Sequence, residues 1–160
     1  MELPRRSAFP PAPDAVFDRF ARLVTRQLDV PVALVSFPDV EGQALAGAAG
    51  LSEPWLSERW TPISHSFCQH VLTTEEPLLV ENADDDARVS ENLAVMELGV
   101  IAYAGMPLRG RDGTVIGSMC GIDHRPRRWT RGELTSLTEL AAACSDEIGR
   151  REAAEPHRFN

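Results

Sequence analysis

The sequence predicts an α+β domain on a mainly antiparallel sheet. Three observations lead there. The predicted elements run helix, two strands, helix, strand, helix, two strands, helix. Two long strand candidates flank Arg109-Gly110-Arg111-Asp112-Gly113, whose Asp-Gly is a hairpin signal. The first and last helices each carry one apolar stripe, so each must cover a sheet face or a partner chain. A length of 160 residues fits one domain.

Residues 1–13 hold four prolines and no periodicity, and are expected to be a flexible arm. Asp14 suits an N-cap. Val16, Phe17, Phe20, Leu23, Val24 and Leu28 then recur at helical spacing among charged residues. Val32–Phe37 is a short apolar run rich in β-formers, hence a buried strand, and Pro38–Gly42 is a turn. Gln43–Gly50 is a weaker strand of Ala and Gly. Residues 51–65 are irregular, with Trp55 and Trp60 as either a lid or a satellite core. Ser66-x-x-Gln69 matches a capping box opening a short helix. Pro77–Asn82 is a third strand, and Ser90 is positioned to cap a short helix through Leu93, Val95 and Met96. Ile101–Leu108 and Thr114–Asp123 are the long strands. Thr130-x-x-Glu133 is a second capping box, and it opens a long helix with Leu134, Leu137, Leu140, Ala141, Cys144 and Ile148 on one stripe. The expected domain is residues 14–152, with 153–160 a frayed tail.

Composition narrows the function. Hydrophobic residues are 43% and charged residues 25%, as in ordinary globular chains. The net charge is −8, which repels phosphate backbones and anionic lipid, so neither nucleic acid nor membrane is an expected partner. Every cationic residue is arginine, which excludes a Schiff-base lysine and a phosphate-loop lysine. Cys68, Cys120 and Cys144 are odd in number and lie in apolar runs, unlike a secreted disulfide scaffold. A cytoplasmic location is expected. Arg5-Arg6 is followed by prolines rather than the apolar stretch of an export signal.

The hairpin is the best physical handle. With an even loop, Ile101, Tyr103, Gly105, Ile116, Ser118, Cys120 and Ile122 share one face. Ala102, Ala104, Met106, Val115, Gly117, Met119 and Gly121 share the other. The second face is the smaller and suits the long helices. The first mixes hydroxyl, phenol and thiol with apolar groups, as in a pocket wall or in a filled core with internal partners. The expected roof is the helix starting at Phe67 and Cys68 with the segment Asn82–Met96. Ser118→Phe is then expected to fill a void. His65-x-x-Cys68-x-His70 is not expected to bind metal, because Cys68 and His70 point to nearly opposite sides of a helix. Asp84-Asp85-Asp86 lacks the alternating oxygens of a calcium loop.

Taken in order, Ser66-Phe67-Cys68-Gln69-His70-Val71-Leu72, Pro77-Leu78-Leu79-Val80, Asn82-Ala83, Asp86-Ala87-Arg88-Val89, Tyr103-Ala104-Gly105-Met106-Pro107-Leu108, Gly117–Asp123 and Trp129-Thr130-x-x-Glu133-Leu134 resemble the GAF domain of bacterial signalling proteins. The resemblance spans about residues 14–150. It implies a central antiparallel sheet with the terminal helices on one face and a small-molecule pocket under short helices and loops on the other. The family often has an aspartate where Asn82 stands, and the cyclic-nucleotide motif of phosphodiesterases is absent. The candidate ligand-binding residues are Phe67, Cys68, Asn82, Met96, Ile101, Tyr103, Ser118 and Cys120, with no catalytic or metal-binding residue and no cofactor. The leading expectation is a non-catalytic sensor or regulatory domain for an unknown small molecule. Its expected partners are a signalling kinase, phosphatase or regulator, and a second copy of itself. Two alternatives stay open. One is a thiol reductase of the free methionine sulfoxide reductase type using Cys68 and Cys120, although the cysteine pattern of that family is absent. The other is an interaction module with no ligand.

Overall fold

The computed structural model describes residues 2–154. One six-stranded sheet has the order β3-β2-β1-β6-β5-β4. Its strands are β1 (Val32–Pro38), β2 (Gly42–Ala49), β3 (Trp60–Pro62), β4 (Leu78–Val80), β5 (Ala102–Arg109) and β6 (Val115–Asp123). Every pairing is antiparallel. The helices are α1 (Ala15–Leu28), α2 (Trp55–Glu58), α3 (Cys68–Thr74), α4 (Leu93–Glu97) and α5 (Arg131–Ala154). The α+β, mainly antiparallel class expected from the sequence is the one observed.

α1 starts where Asp14 accepts the amides of Val16 and Phe17 at 3.0 and 3.1 Å. It buries Phe17, Ala21, Val24 and Leu28, one stripe at 3–4 residue spacing. α5 opens on a complete capping box: Thr130 N–H donates to Glu133 at 2.8 Å, and Glu133 N–H donates to Thr130 Oγ1 at 3.1 Å. Its stripe is Leu137, Ala141, Cys144 and Ile148. Both stripes meet the same sheet face, carried by Ala33, Val35, Phe37, Ala46, Ala104, Met106 and Met119. Small residues there let α1 come close. A Cβ on Gly47 would sit 2.5 Å from the Phe17 carbonyl oxygen, and one on Gly121 would sit 3.1 Å from Leu28.

The β5–β6 hairpin corrects the expected loop parity. Gly110 N–H bonds the Thr114 carbonyl at 2.9 Å, so the turn holds the odd set Arg111, Asp112 and Gly113, with Gly113 at φ 85°. The register then shifts between Leu108 and Arg109, where Leu108 pairs Gly117 and Arg109 pairs Val115. Ile116 is the extra residue. An odd loop and a one-residue bulge restore even parity for residues 117–123, so Tyr103, Cys120 and Ile122 share a cluster as expected. Residues 115 and 116 are exchanged: Val115 packs with Cys68 and Leu72, and Ile116 packs on the helix side.

Other departures are local. β3 emerges from the segment expected to be irregular. Asn92, not Ser90, caps α4, accepting from Ala94 N–H at 2.9 Å. The expected flexible arm is packed. Pro4 accepts from Val40 N–H at 3.0 Å, and Ser7 donates to the Phe37 carbonyl at 2.8 Å. The Phe9 ring lies 4.6 Å from Phe37 and 5.1 Å from Phe17, and Phe9 is only 4% exposed. One aromatic anchors the arm, and a single residue carries no periodicity to detect. The expected frayed tail begins inside α5, whose last residues are Ala153 and Ala154; residues 155–160 lie outside the described residues.

Arg151, near the end of α5, ties the two termini together. Its guanidinium bonds both Asp14 carboxylate oxygens at 2.5 and 3.0 Å and lies 4.5 Å from the Phe17 ring centroid. That contact holds the Asp14 carboxyl below its ordinary value of 3.8. A carboxyl depressed in the folded state adds stability that is complete above its unfolded value, about pH 4, and is lost as pH falls through the folded one. Asp14→Asn should therefore flatten the acid limb of a urea-midpoint-versus-pH curve below about pH 4. Phe9→Ala should lower unfolding free energy by ~3–5 kcal/mol in urea titration, the usual range for a buried phenylalanine; a change under ~1 kcal/mol would mean the arm is not part of the fold.

Candidate functional site

The face away from α1 and α5 is set by the β1–β6 ladder. Val32 pairs Ile122, Leu34 pairs Cys120, and Ser36 pairs Ser118. Alternation along each strand sends these six side chains to one side. Between them and their cover lies a cavity of about 90 Å³. Phe67 and Cys68 at the start of α3 close one side, and Ala94, Leu98 and Val100 form the roof. The exposed Gly50, Ser52 and His124 line its solvent side. Gln43 of β2 and Ser36 lie toward the opposite end.

Tyr103 is the central aromatic of the wall. Its ring lies along the strand over Gly105, where a Cβ would meet ring carbon Cε1 at 2.5 Å and the hydroxyl at 2.7 Å. Glycine there lets the Tyr103 hydroxyl reach Ser118 Oγ at 3.3 Å. The ring also packs on Phe67 with centroids 5.2 Å apart. Burial, reinforced by the neighbouring thiols, pushes the phenol well above its ordinary value, so it is neutral.

The roof is pinned at three points. His65 Nε2 lies 2.7 Å from the Glu97 carboxylate. His124 Nδ1 donates to the Gly99 carbonyl at 2.8 Å. Asn92 donates to the Ser66 carbonyl at 2.9 Å. Gly99 has φ 67°, a left-handed conformation that glycine adopts freely.

Polar satisfaction is uneven. Ser66 Oγ accepts from Gln69 N–H at 3.1 Å and donates to Gln43 Oε1 at 2.8 Å. The expected capping box is thus half formed, because the Gln69 side chain donates to the Ile63 and Ser66 carbonyls instead. Gln43 is left with its NH₂ group. Cys68 donates weakly to the Ser36 carbonyl at 3.8 Å. The Ser36 hydroxyl itself is buried with no hydrogen-bond partner among the described residues. Such a group costs ~1–3 kcal/mol until something bonds it.

Of the residues expected at the site, Phe67, Cys68, Tyr103 and Cys120 line this cavity. Ser118 does not line it; it is fully buried against Tyr103, so Ser118→Phe would overpack rather than fill a void. Ile101 is also outside the lining, and Val100 takes that place. Asn82 is turned to its own loop, accepting from Asp84 N–H and donating to Asp85, both at 3.2 Å. Met96 is 87% exposed. Ala94 and Leu98, four apart on one side of α4, face inward, so Met96 between them faces out. Neither Trp55 nor Trp60 lines the cavity; Trp60 covers Gly42 at the sheet edge.

Sequence reasoning missed Val32, Leu34, Ser36, Gln43, His65 and His124. The first three had a signal. A strand beside β6 must alternate in step with it, but β1 read as wholly buried and had no face assigned. The histidines come from loops without periodicity.

All three cysteines are free and buried. Burial pushes the Cys68 thiol well up, with Cys120 adding to it, and pushes Cys120 and Cys144 up to about 12. At pH 8 a thiol of pKa near 12 is thiolate in about one molecule in ten thousand. A disulfide reagent at pH 8 should therefore label none of the three thiols in the native protein within minutes and all three in denaturant; rapid labelling of Cys68 or Cys120 in the native state would contradict this burial.

Comparison with known proteins fits this architecture. The sequence profile of the GAF domain matches residues 12–148. A cyclic di-GMP phosphodiesterase of Pseudomonas aeruginosa is 33% identical over 115 residues, 71% of this chain and 19% of that enzyme. The chain therefore spans about a fifth of that relative. The blue-light absorbing form of the Thermosynechococcus elongatus PixJ GAF domain superposes with a TM-score of 0.70 at 18% identity, covering 89% of this chain and 88% of that one. Free methionine-R-sulfoxide reductase from Neisseria meningitidis, in complex with its substrate, superposes at 0.65 with 16% identity, covering 84% and 76%. At these identities the structural likeness concerns the fold.

Proposed function

Because the chain belongs to the GAF domain family, a sensor and regulatory fold, we propose that it is a non-catalytic sensor whose cavity against Tyr103 and Cys120 binds a small molecule in the cytoplasm. The observation that carries this reading is the buried Ser36 hydroxyl with no partner at the wall of an open cavity. In a filled core most such groups are paired; the other buried hydroxyl without a partner among the described residues, that of Thr61, lies outside this cavity. A ligand seated there touches β1, β6 and α3 together with the roof, so occupancy would bias the pinned segment around Glu97 and Gly99. The signal would pass to a kinase, a phosphatase or another regulator. A homodimer through the outer sides of α1 and α5 belongs to the same proposal. Three unpaired cysteines fit a reducing compartment.

Cyclic di-GMP, named for the relative, is not the ligand we propose. Among the described residues no arginine lines the cavity, and about 90 Å³ is too small for a dinucleotide. A second reading is thiol reductase chemistry, favoured by one observation: Cys68 and Cys120 line the same cavity. Their raised pKa values count against it, because the thiolate is the attacking form.

Native mass spectrometry of the purified protein should detect a retained small molecule. Ala94→Met, placed in the roof, should fill the cavity and abolish retention while keeping or raising stability by up to ~1 kcal/mol. Absence of any retained molecule, with a dimer mass, would favour the interaction module. Turnover of free methionine sulfoxide lost in Cys120→Ser would favour the reductase.

A further inference from the structure

The cavity has two chemically different ends. Toward the solvent side Val32 and Ile122 stand under Leu98 and Val100, with Ser52 and His124 at the exposed rim. Toward the other end it is walled by Ser36 and Gln43. Among the described residues, no Arg, Asp or Glu side chain lines it. Of its two histidines, His65 is engaged with Glu97, and His124 is held by the Gly99 carbonyl on the solvent side. An ionised group brought inside would lose its hydration and meet no countercharge. The polar demand left over is specific. Ser36 offers a hydroxyl with no partner. Gln43 offers an NH₂ group, its oxygen being taken by Ser66. Two donors at one end match one acceptor oxygen. The size sets the remainder: about 90 Å³ is well below the ~150 Å³ that takes benzene.

Resting on the sensor reading above, we infer that the ligand is a small uncharged molecule, with an apolar body of about three or four heavy atoms and one carbonyl or hydroxyl oxygen held by Ser36 and Gln43. Short-chain ketones, aldehydes, amides and alcohols are the class. The apolar body occupies the Val32–Ile122 end, and the oxygen replaces the missing partner of Ser36. The roof segment then closes on the body through Leu98 and Val100.

The test uses three probes of matched chain length on the full-length protein: butanone, butyrate and butylammonium at neutral pH. The readout is methyl NMR of Val32, Val100 and Ile122. Butanone should shift these methyls saturably with a millimolar dissociation constant. The two ions should bind at least about tenfold more weakly, because each must shed its hydration. Ser36→Ala removes a group that has no partner, so it should fold normally, and it should weaken butanone roughly 2–10-fold, the loss of one neutral hydrogen bond. Tighter binding of either ion, or unchanged butanone affinity in Ser36→Ala, would overturn the inferred class while leaving the cavity a ligand site. No shift with any probe, beside a molecule retained in native mass spectrometry, would overturn the inference and keep the sensor reading. No shift and no retained molecule would overturn both.

Discussion

The antiparallel ladder between β1 and β6 is the contact on which the rest of the molecule depends. It joins the two halves of the sheet, β3-β2-β1 and β6-β5-β4. Its register, Val32 to Ile122 through Ser36 to Ser118, aligns the alternation of both halves. A slip of one residue in β6 against β1 would send Ser118 and Cys120 under α1 and bring Met119 and Gly121 to the cavity side, while Ser36 kept its face. Because the register holds, one face is small enough for α1 to approach at Gly47 and Gly121, and the other keeps its bulky and polar side chains for the cavity.

The two faces are covered differently, and the proposed function rests on that difference. α1 and α5 lay continuous stripes on one face and leave Cys144 sealed between them and the sheet. The other face is covered by short elements meeting at angles: α3, α4 and the links around them. Such a cover packs single side chains, Phe67, Val71, Ala94 and Val100, on the sheet and adds the contacts of His65 to Glu97, Asn92 to Ser66 and His124 to Gly99, in place of the continuous stripes of the long helices. Voids persist where point contacts replace rows. On the proposed sensor reading, this roof is the element that ligand occupancy would bias. The termini are tied on the far side of the sheet by Arg151, which grips Asp14 and packs over Phe17 and Phe9.

Legibility from sequence followed the kind of signal each element carries. α1 and α5 were readable in stripe, cap and shared face, because a single-sided helix has few ways to bury itself. The Thr130–Glu133 box appeared as expected. The hairpin faces came out right for residues 117–123 through an odd turn and a bulge that compensate, which the Asp112-Gly113 signal alone does not reveal. Where the signal was one residue deep, reading stopped. Phe9 anchors an arm that has no periodicity. Asn92 displaces Ser90 as cap by two positions. Met96 faces out because the cap sets the phase of α4, and a five-residue helix has too few positions to set its own.

By itself, the sequence determined the α+β class, the antiparallel hairpin, the helix face of small residues and four of the cavity residues: Phe67, Cys68, Tyr103 and Cys120. These depend on local alternation, helical spacing and capping, all encoded within a few neighbouring residues. Only the tertiary structure decided that Ser36 and Gln43 stand at the cavity, that Ser118 is packed behind Tyr103, and that His65 and His124 pin the roof. Each of those facts requires two segments distant in the chain to meet at one depth and one register. Such meetings follow from the packing of the whole sheet and leave no period in the residues themselves.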